Sequence, residues 1–421
     1  MQALISLSIA LLVGLMLSRL AKLMHLPAVT AYLVAGILVG PYLLGRLGIP
    51  GIGFISMDDV ESYSIICDVA LGFIAFSIGN EFRMSQLKQT GKQAAIIGAF
   101  QALVTTVIVD IALICLHFIM PDKLSLSAAI TLGAIATATA PAATLMVVRQ
   151  YKAKGPLTDI LLPVVALDDA VGLIVFAVSF GVARALNTGA VDVISIIVEP
   201  ILEVALSLLL GAAMGGLFTL CEQFFHSRSK RLSVSVTFVL LTVALSMLKF
   251  NIFGVHIAFS PLLVCMMLGT VFCNFCDFSE ELMDRAERWT SPLLILFFVL
   301  SGAELELSVF TSGAVVITGI VYILSRSLGK YTGAFISAKS VKCSDKIVKY
   351  LGITLLPQAG VALGMATEAG TLGPEGQIVA NITLFAVLIY ELIGPVLTKN
   401  ALLKAGDIKP EGRISARKKT V

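Results

Sequence analysis

Apolar runs long enough to cross a bilayer recur along the whole chain, which leaves few folds open. A membrane helix needs about 20 mostly apolar residues. Thirteen stretches approach or exceed that length: 3–24, 27–46, 61–81, 92–119, 124–148, 156–186, 192–220, 231–249, 254–275, 291–306, 309–337, 346–367 and 378–398. Helices are the expected form, because a lipid-exposed open sheet would leave backbone groups without partners. Only 14% of residues are charged, against about 25% in a soluble domain. A soluble enzyme, a disordered chain, a coiled coil and a secreted disulfide scaffold are therefore excluded. The start of the chain, MQALISLSIALLVGLML, has neither a basic leader nor a small-residue cleavage site, and reads as the first membrane helix. Cys273 and Cys276 form the one CxxC among seven cysteines. No second pair or histidine cluster completes a metal site, and no cofactor is expected.

The distribution of positive charge tests the count. With alternate connections assigned to opposite sides, one side carries 24 of the Lys and Arg residues and the other carries 4. A wrong number of spans would scramble that asymmetry. The N-terminus is expected outside and the C-terminus in the cytoplasm of a cell's inner (plasma) membrane. The basic tail 401–421 contains no GxGxxG after a strand pattern, so neither a nucleotide-binding domain nor nucleic-acid binding is expected. Membrane lipid is the partner such a tail would meet.

Two apolar segments are poor continuous helices. One runs Ala136-Thr137-Ala138-Thr139-Ala140-Pro141, and the other Leu355-Leu356-Pro357-Gln358-Ala359-Gly360. Proline removes a backbone hydrogen bond and disfavours helix in the residue before it. The segments lie in the fifth and twelfth spans, seven apart, and an odd offset means opposite orientation. The first six and last six spans are thus expected to be inverted repeats, with the seventh as a linker. Paired broken helices in inverted halves point to a transporter's midplane site.

Charges inside spans are costly, about 2.5–3.5 kcal/mol each at the centre, and so mark function. Asp168 and Asp169 sit in the middle of the sixth span. Adjacent residues are about 100° apart on a helix, so each needs its own partner. Arg326 and Lys330, four apart in the eleventh span, share one face, and either could pair with an aspartate. Thr137 and Thr139 are candidate neutral ion ligands. Asn381 and Glu391 in the last span are secondary candidates, Asp68, Asp110 and Glu203 are lone acids, and His256 is expected within the ninth helix.

These residues resemble the second family of monovalent cation:proton antiporters, which holds bacterial Na+/H+ antiporters and Kef-type K+ transporters. The resemblance covers about residues 1–400. It rests on Leu26-Pro27, Gly36 to Pro41, Leu71 to Phe82, the Thr-Ala-Pro-Ala-Ala-Thr break at 139–144, the Asp-Asp pair, Pro357 to Ala362 and Glu391 to Pro395. It implies an all-α integral membrane protein of 13 transmembrane helices, with two inverted repeats and crossing broken helices, assembled as a homodimer. Implied segments are scaffold helices in 1–90, core helices in 91–188, a linker helix in 189–225, scaffold helices in 226–308 and core helices in 309–400. The core would move as an elevator against the scaffold. In the Asp-Asp branch, the resemblance gives Asp169 the Na+ and pairs Asp168 with a lysine, here Lys330. Arg326, one turn earlier, is the alternative partner, since an arginine takes that role in electroneutral relatives.

The expected function is exchange of Na+ or Li+ for H+. A carboxylate that holds either ion in turn couples the two fluxes, and oxygen ligands suit a hard cation. K+/H+ exchange on the same scaffold stays open. An anion or bile-acid type symporter is disfavoured by the Asp-Asp pair with its basic partners. No HExxH or GxSxG with a plausible triad supports an enzyme.

Overall fold

The computed structural model describes residues 2–24, 26–49, 53–80, 82–188, 198–248, 250–252, 255–276, 278–305 and 312–409. For 2, 85–90, 169, 187, 188, 200, 251, 252, 255–257, 280, 287 and 360 the description is of backbone alone.

Sixteen α-helices dominate the described residues. In order they are α1 (Gln2–Leu23), α2 (Ala28–Val39), α3 (Met57–Glu61), α4 (Ser64–Asn80), α5 (Met84–Ile119), α6 (Leu126–Ile135), α7 (Pro141–Gln150) and α8 (Pro156–Thr188). There follow α9 (Glu199–Gln223), α10 (Arg228–Ser246), α11 (Pro261–Phe275), α12 (Ser279–Glu304), α13 (Gly313–Ser340), α14 (Asp345–Thr354), α15 (Gly360–Ala369) and α16 (Pro374–Ala405). A short antiparallel hairpin, β1 (Phe250–Ile252) with β2 (Val255–Ile257), precedes α11. Eight helices are long and apolar enough to span a bilayer, and α4, α6 and α11 are shorter apolar helices. Among the described residues, length and composition therefore single out eight candidate spans and do not confirm the count of thirteen.

The hairpin corrects the expectation of a helix over 254–275. His256 lies on β2, and the helix begins at Pro261. The reason is local. Pro261 has no N–H to offer and fits the first helical position, and the Ser260 side chain accepts from Leu263 N. The next helix starts earlier than hydropathy suggests: α12 runs from Ser279, so its charged first turns precede the apolar run at 291.

The helices pack in two groups. α1, α2, α4 and α9–α12 contact one another, and α5–α8 and α13–α16 do likewise. The groups meet where α2 touches α7 and α16, where α4 touches α7 and where α8 touches α9. Small residues permit the closest approaches. A Cβ on Gly36 of α2 would lie 2.0 Å from Val299 O of α12, and one on Gly79 of α4 would lie 1.9 Å from Met266 O of α11. Without water as a driving force, such small-residue packing is how membrane helices associate.

Within the second group, α5 and α13 turn apolar side chains outward and polar ones inward. On α5, Leu103, Val107 and Ile111 are exposed at helical spacing, whereas Gln101 and Thr105 are buried. On α13, Leu324 and Leu328 are exposed while Ser325, Arg326 and Lys330 are buried. This reverses a soluble helix and suits lipid outside with a polar centre inside. Orientation is directly testable. Lys123 and Lys152 are exposed at opposite ends of the α6–α7 pair. Cysteines placed there are expected to react with an impermeant maleimide from opposite sides of the membrane. Reaction of both from one side would break the charge-based topology.

Candidate functional site

Both predicted breaks exist, and they touch. After α6 the chain turns at Ala136 and Thr137, runs extended through Ala140 and restarts helically at Pro141. After α14 it is non-helical from Leu355 to Ala359 and restarts at Gly360. Pro141 occupies the first turn of α7, where its missing N–H costs nothing. Pro357 lies inside the second break. Ala140 N donates to Pro357 O at 2.8 Å, which ties one break to the other. The Gln358 side chain adds a second tie, donating to Ile135 O at 3.0 Å and to the Tyr322 hydroxyl at 2.9 Å.

A broken helix leaves carbonyls without partners, and in a membrane these must be satisfied by protein. Arg326 does this for both breaks. Its Nε donates to Ala136 O at 2.9 Å, and its two terminal nitrogens donate to Leu356 O at 2.7 Å and Ala138 O at 2.6 Å. The guanidinium also sits 4.5 Å from the centre of the Tyr390 ring. A positive charge at the C-terminal ends of α6 and α14 complements their dipoles as well. The rigid fork of arginine can serve carbonyls from two chain segments at once.

Lys330, one turn on, does something different. Its Nζ lies 3.0 Å from Asp168 Oδ2 in an ion pair with both side chains fully buried. The same Nζ donates to Thr137 O at 2.5 Å and to the Thr139 hydroxyl at 2.9 Å. The Thr139 hydroxyl donates to Asp168 Oδ2 at 2.7 Å. The Gln101 amide of α5 donates to Asp168 Oδ1. Of the two basic residues that the sequence left open, Lys330 is thus the one paired with Asp168, and Arg326 braces the backbone. Close approach of α13 to α5 makes this geometry possible, because a Cβ on Gly333 would lie 2.8 Å from Gln101 Cα.

The other candidates divide. Thr139 is in the network by its side chain. Thr137 contributes its carbonyl, while its hydroxyl turns back to Ala134 O at 2.7 Å. Asp169 follows Asp168 on α8, but its side chain lies outside the described residues. Asn381 is half-buried on α16, and among the described residues no hydrogen bond joins it to the crossing. Glu391 is buried next to Tyr390 but does not bond to Asp168, Lys330 or Arg326. Gln101 was not foreseen. Its signal was a single amide amid apolar residues, one helical turn from Gly98 and Thr105.

Chemically, the crossing is a buried, polar centre built for charge. Two buried cations face one described buried carboxylate, whose two oxygens already hold three donors. Carbonyl oxygens of the two breaks absorb part of the excess positive charge.

Known proteins share this architecture. The family described as "Sodium/hydrogen exchanger, transmembrane" matches residues 7–404. The chain is 24% identical over 382 residues to the K(+)/H(+) antiporter subunit KhtU of Bacillus subtilis, covering 88% of this chain and 86% of that one. It is 23% identical over 412 residues to the Na(+)/H(+) antiporter NhaS4 of Synechocystis, covering 93% and 94%. The solved sodium proton antiporter MjNhaP1 of Methanocaldococcus jannaschii superimposes with a TM-score of 0.75 over 96% of this chain and 98% of that one, at 17% identity.

Proposed function

Because the chain belongs to the sodium/hydrogen exchanger family, we propose that it is a secondary active antiporter that exchanges Na+ (or Li+) for H+ across a membrane. The observation that carries this reading is the buried Asp168–Lys330 pair at two crossing helix breaks, with Asp169 as the next residue of α8. Asp168 is saturated by Lys330, Thr139 and Gln101, so it is the fixed half of the site. Asp169 is the ion carrier, holding Na+ or a proton in turn. Thr137 and Thr139 contribute oxygens on the same side of the break.

The two packing groups supply the motion. α5–α8 and α13–α16 carry every residue of the crossing and would move as one body. α1, α2, α4 and α9–α12 would be the scaffold and the dimer surface, with the N-terminus outside and the C-terminus cytoplasmic. An elevator of this kind exposes Asp169 to either side alternately without a separate gate for each ion.

K+/H+ exchange is the second reading, favoured by the match to a K(+)/H(+) antiporter subunit over most of both chains. Proteoliposomes carrying a pH-sensitive dye and an imposed proton gradient decide between them. Addition of Na+ or Li+ is expected to collapse the gradient, K+ to act weakly and choline not at all. Collapse by K+ alone would transfer the chain to the second reading, and no response to any alkali cation would end both.

A further inference from the structure

Two side-chain amides tie the helix groups together at helix ends, and each crosses the seam in the same way. α2 and α5 begin without a cap of their own: the residues before them are Pro27 and Arg83, and neither supplies a side-chain cap. The first N–H groups of a helix have no partner within it. In both helices a partner comes from the other group. Ala28 N, at the start of α2, donates to Gln150 Oε1 at the end of α7, at 2.8 Å. Met84 N, at the start of α5, donates to Asn274 Oδ1 near the end of α11, at 2.7 Å. Gln150 rides on the group with the crossing and caps the other group, and Asn274 does the reverse. A longer contact, from Thr30 Oγ1 of α2 to Leu392 O of α16 at 3.5 Å, crosses the seam one step further along α2.

Asn274 also holds the junction itself. The chain passes from α4 to α5 around Phe82, and Asn274 Nδ2 donates to Phe82 O at 2.9 Å. The same nitrogen donates to Thr270 O, one turn back on α11, at 2.7 Å, which fixes the amide to its own helix. One side chain thereby grips the connection between the groups on both sides of Arg83. Gln150 and Met84 directly follow Arg149 and Arg83, so both amide bonds lie on the side rich in Lys and Arg. A cap inside one group gives the contrast. Asp407, just past α16, accepts from Thr158 N of α8 at 2.7 Å and from the Thr158 hydroxyl at 2.8 Å, both at Oδ2. α8 and α16 belong to the same group, so a slide of the groups would leave that cap intact and break the other two.

We propose that Gln150 and Asn274 are latches that hold the two groups in the arrangement seen here and set how much of the protein occupies it. This rests on the antiporter reading, in which the groups slide past each other. Sliding withdraws each amide from the helix that it caps and returns the N–H to water. Losing a cap shifts an equilibrium roughly fivefold. Only a difference between the two arrangements can move their populations, and a bond made across the seam in one of them is such a difference. The latches sit on different helix pairs, so their effects multiply, to roughly 25-fold. Apparent affinity scales with the fraction of protein competent to bind. The latches therefore favour ion binding from whichever face the latched arrangement serves.

Distances between the groups test this without transport. Spin labels are attached to p-acetylphenylalanine in place of Lys230 on α10 and Lys339 on α13, both exposed and one on each group, which leaves the native cysteines in place. Double electron–electron resonance is recorded on the full chain in nanodiscs. Gln150→Ala and Asn274→Ala are each expected to raise the ratio of a second distance to the first roughly fivefold. Gln150→Glu keeps the accepting oxygen and should stay near wild type. Asp407→Ala removes a cap of the same kind inside one group and should leave the ratio unchanged. Distances that ignore both latch variants would overturn the proposal, and so would an equal shift in Asp407→Ala. Should one latch variant fail to fold, the other still decides. In sealed vesicles of either orientation, the apparent KM for Na+ of a latch variant should rise on one face and fall on the other. A change in the same direction on both faces would equally overturn the latches. A wild-type chain that exchanges no cation would instead end the antiport reading and leave the spin-label distances to judge the latches.

Discussion

Asp169→Asn is expected to abolish exchange while leaving a folded protein of native size. At the crossing, both oxygens of Asp168 are engaged, by Gln101 on one side and by Lys330 and Thr139 on the other. A transported cation would have to displace the lysine to reach them. On the proposed reading, the next carboxylate in the chain, Asp169, is the one that exchanges occupants. An amide keeps the size and an oxygen but cannot hold a proton on that oxygen and then release it, so both fluxes stop together. Na+-driven proton movement in proteoliposomes should fall to the level of empty liposomes, with an unchanged elution profile. Wild-type flux from this variant would sink the assignment. Asp168→Asn is the informative contrast. It leaves Lys330 charged, buried and without its carboxylate, a change that costs about 3–5 kcal/mol in comparable pairs. Its loss of flux should therefore come with a lowered thermal midpoint, whereas that of Asp169→Asn should not.

The parts of this site that were legible in the sequence are those set by local chemistry. Pro141 and Pro357 mark breaks because a proline ring cannot sit inside a regular helix, whatever surrounds it. Two adjacent aspartates in a long apolar run are conspicuous because carboxylates are expensive there. The parts not legible depend on distances between segments far apart in the chain. Arg326 and Lys330 share a helix face, and one turn of depth decides which meets carbonyls and which meets Asp168. Sequence spacing shows the shared face but not the depth of the breaks opposite it. Gln101 became relevant only because Gly329 and Gly333 let α13 press against α5. The hairpin at 250–257 was hidden for a different reason: its residues are as apolar as those of a helix, and hydropathy does not tell a short strand from a helical turn.

The division of labour between the two basic residues leads to the second large effect. Lys330 is held by Asp168, Thr139 and the Thr137 carbonyl. Its charge is tolerated at this depth chiefly because Asp168 is there. When a cation binds beside the pair, repulsion favours release of the lysine proton, so Lys330 becomes a second proton carrier. Two protons against one Na+ move net charge, and the native protein is then expected to transport faster or slower as membrane voltage is changed. Lys330→Gln should weaken that dependence and lower stability by about 3 kcal/mol, since Asp168 keeps only its neutral donors. Arginine stays charged at any physiological pH and cannot carry this proton. Arg326→Gln is instead expected to fail structurally. Three carbonyls from the two breaks lose their donors at once, at about 1–3 kcal/mol each. Arg326→Lys should recover part of that stability, as one ammonium cannot span both breaks. Thermal unfolding in detergent separates the two residues, and flux measured under valinomycin-clamped potentials tests the proton role. Flux of the native protein that ignores voltage would rule out the lysine as a carrier, even with both variants impaired.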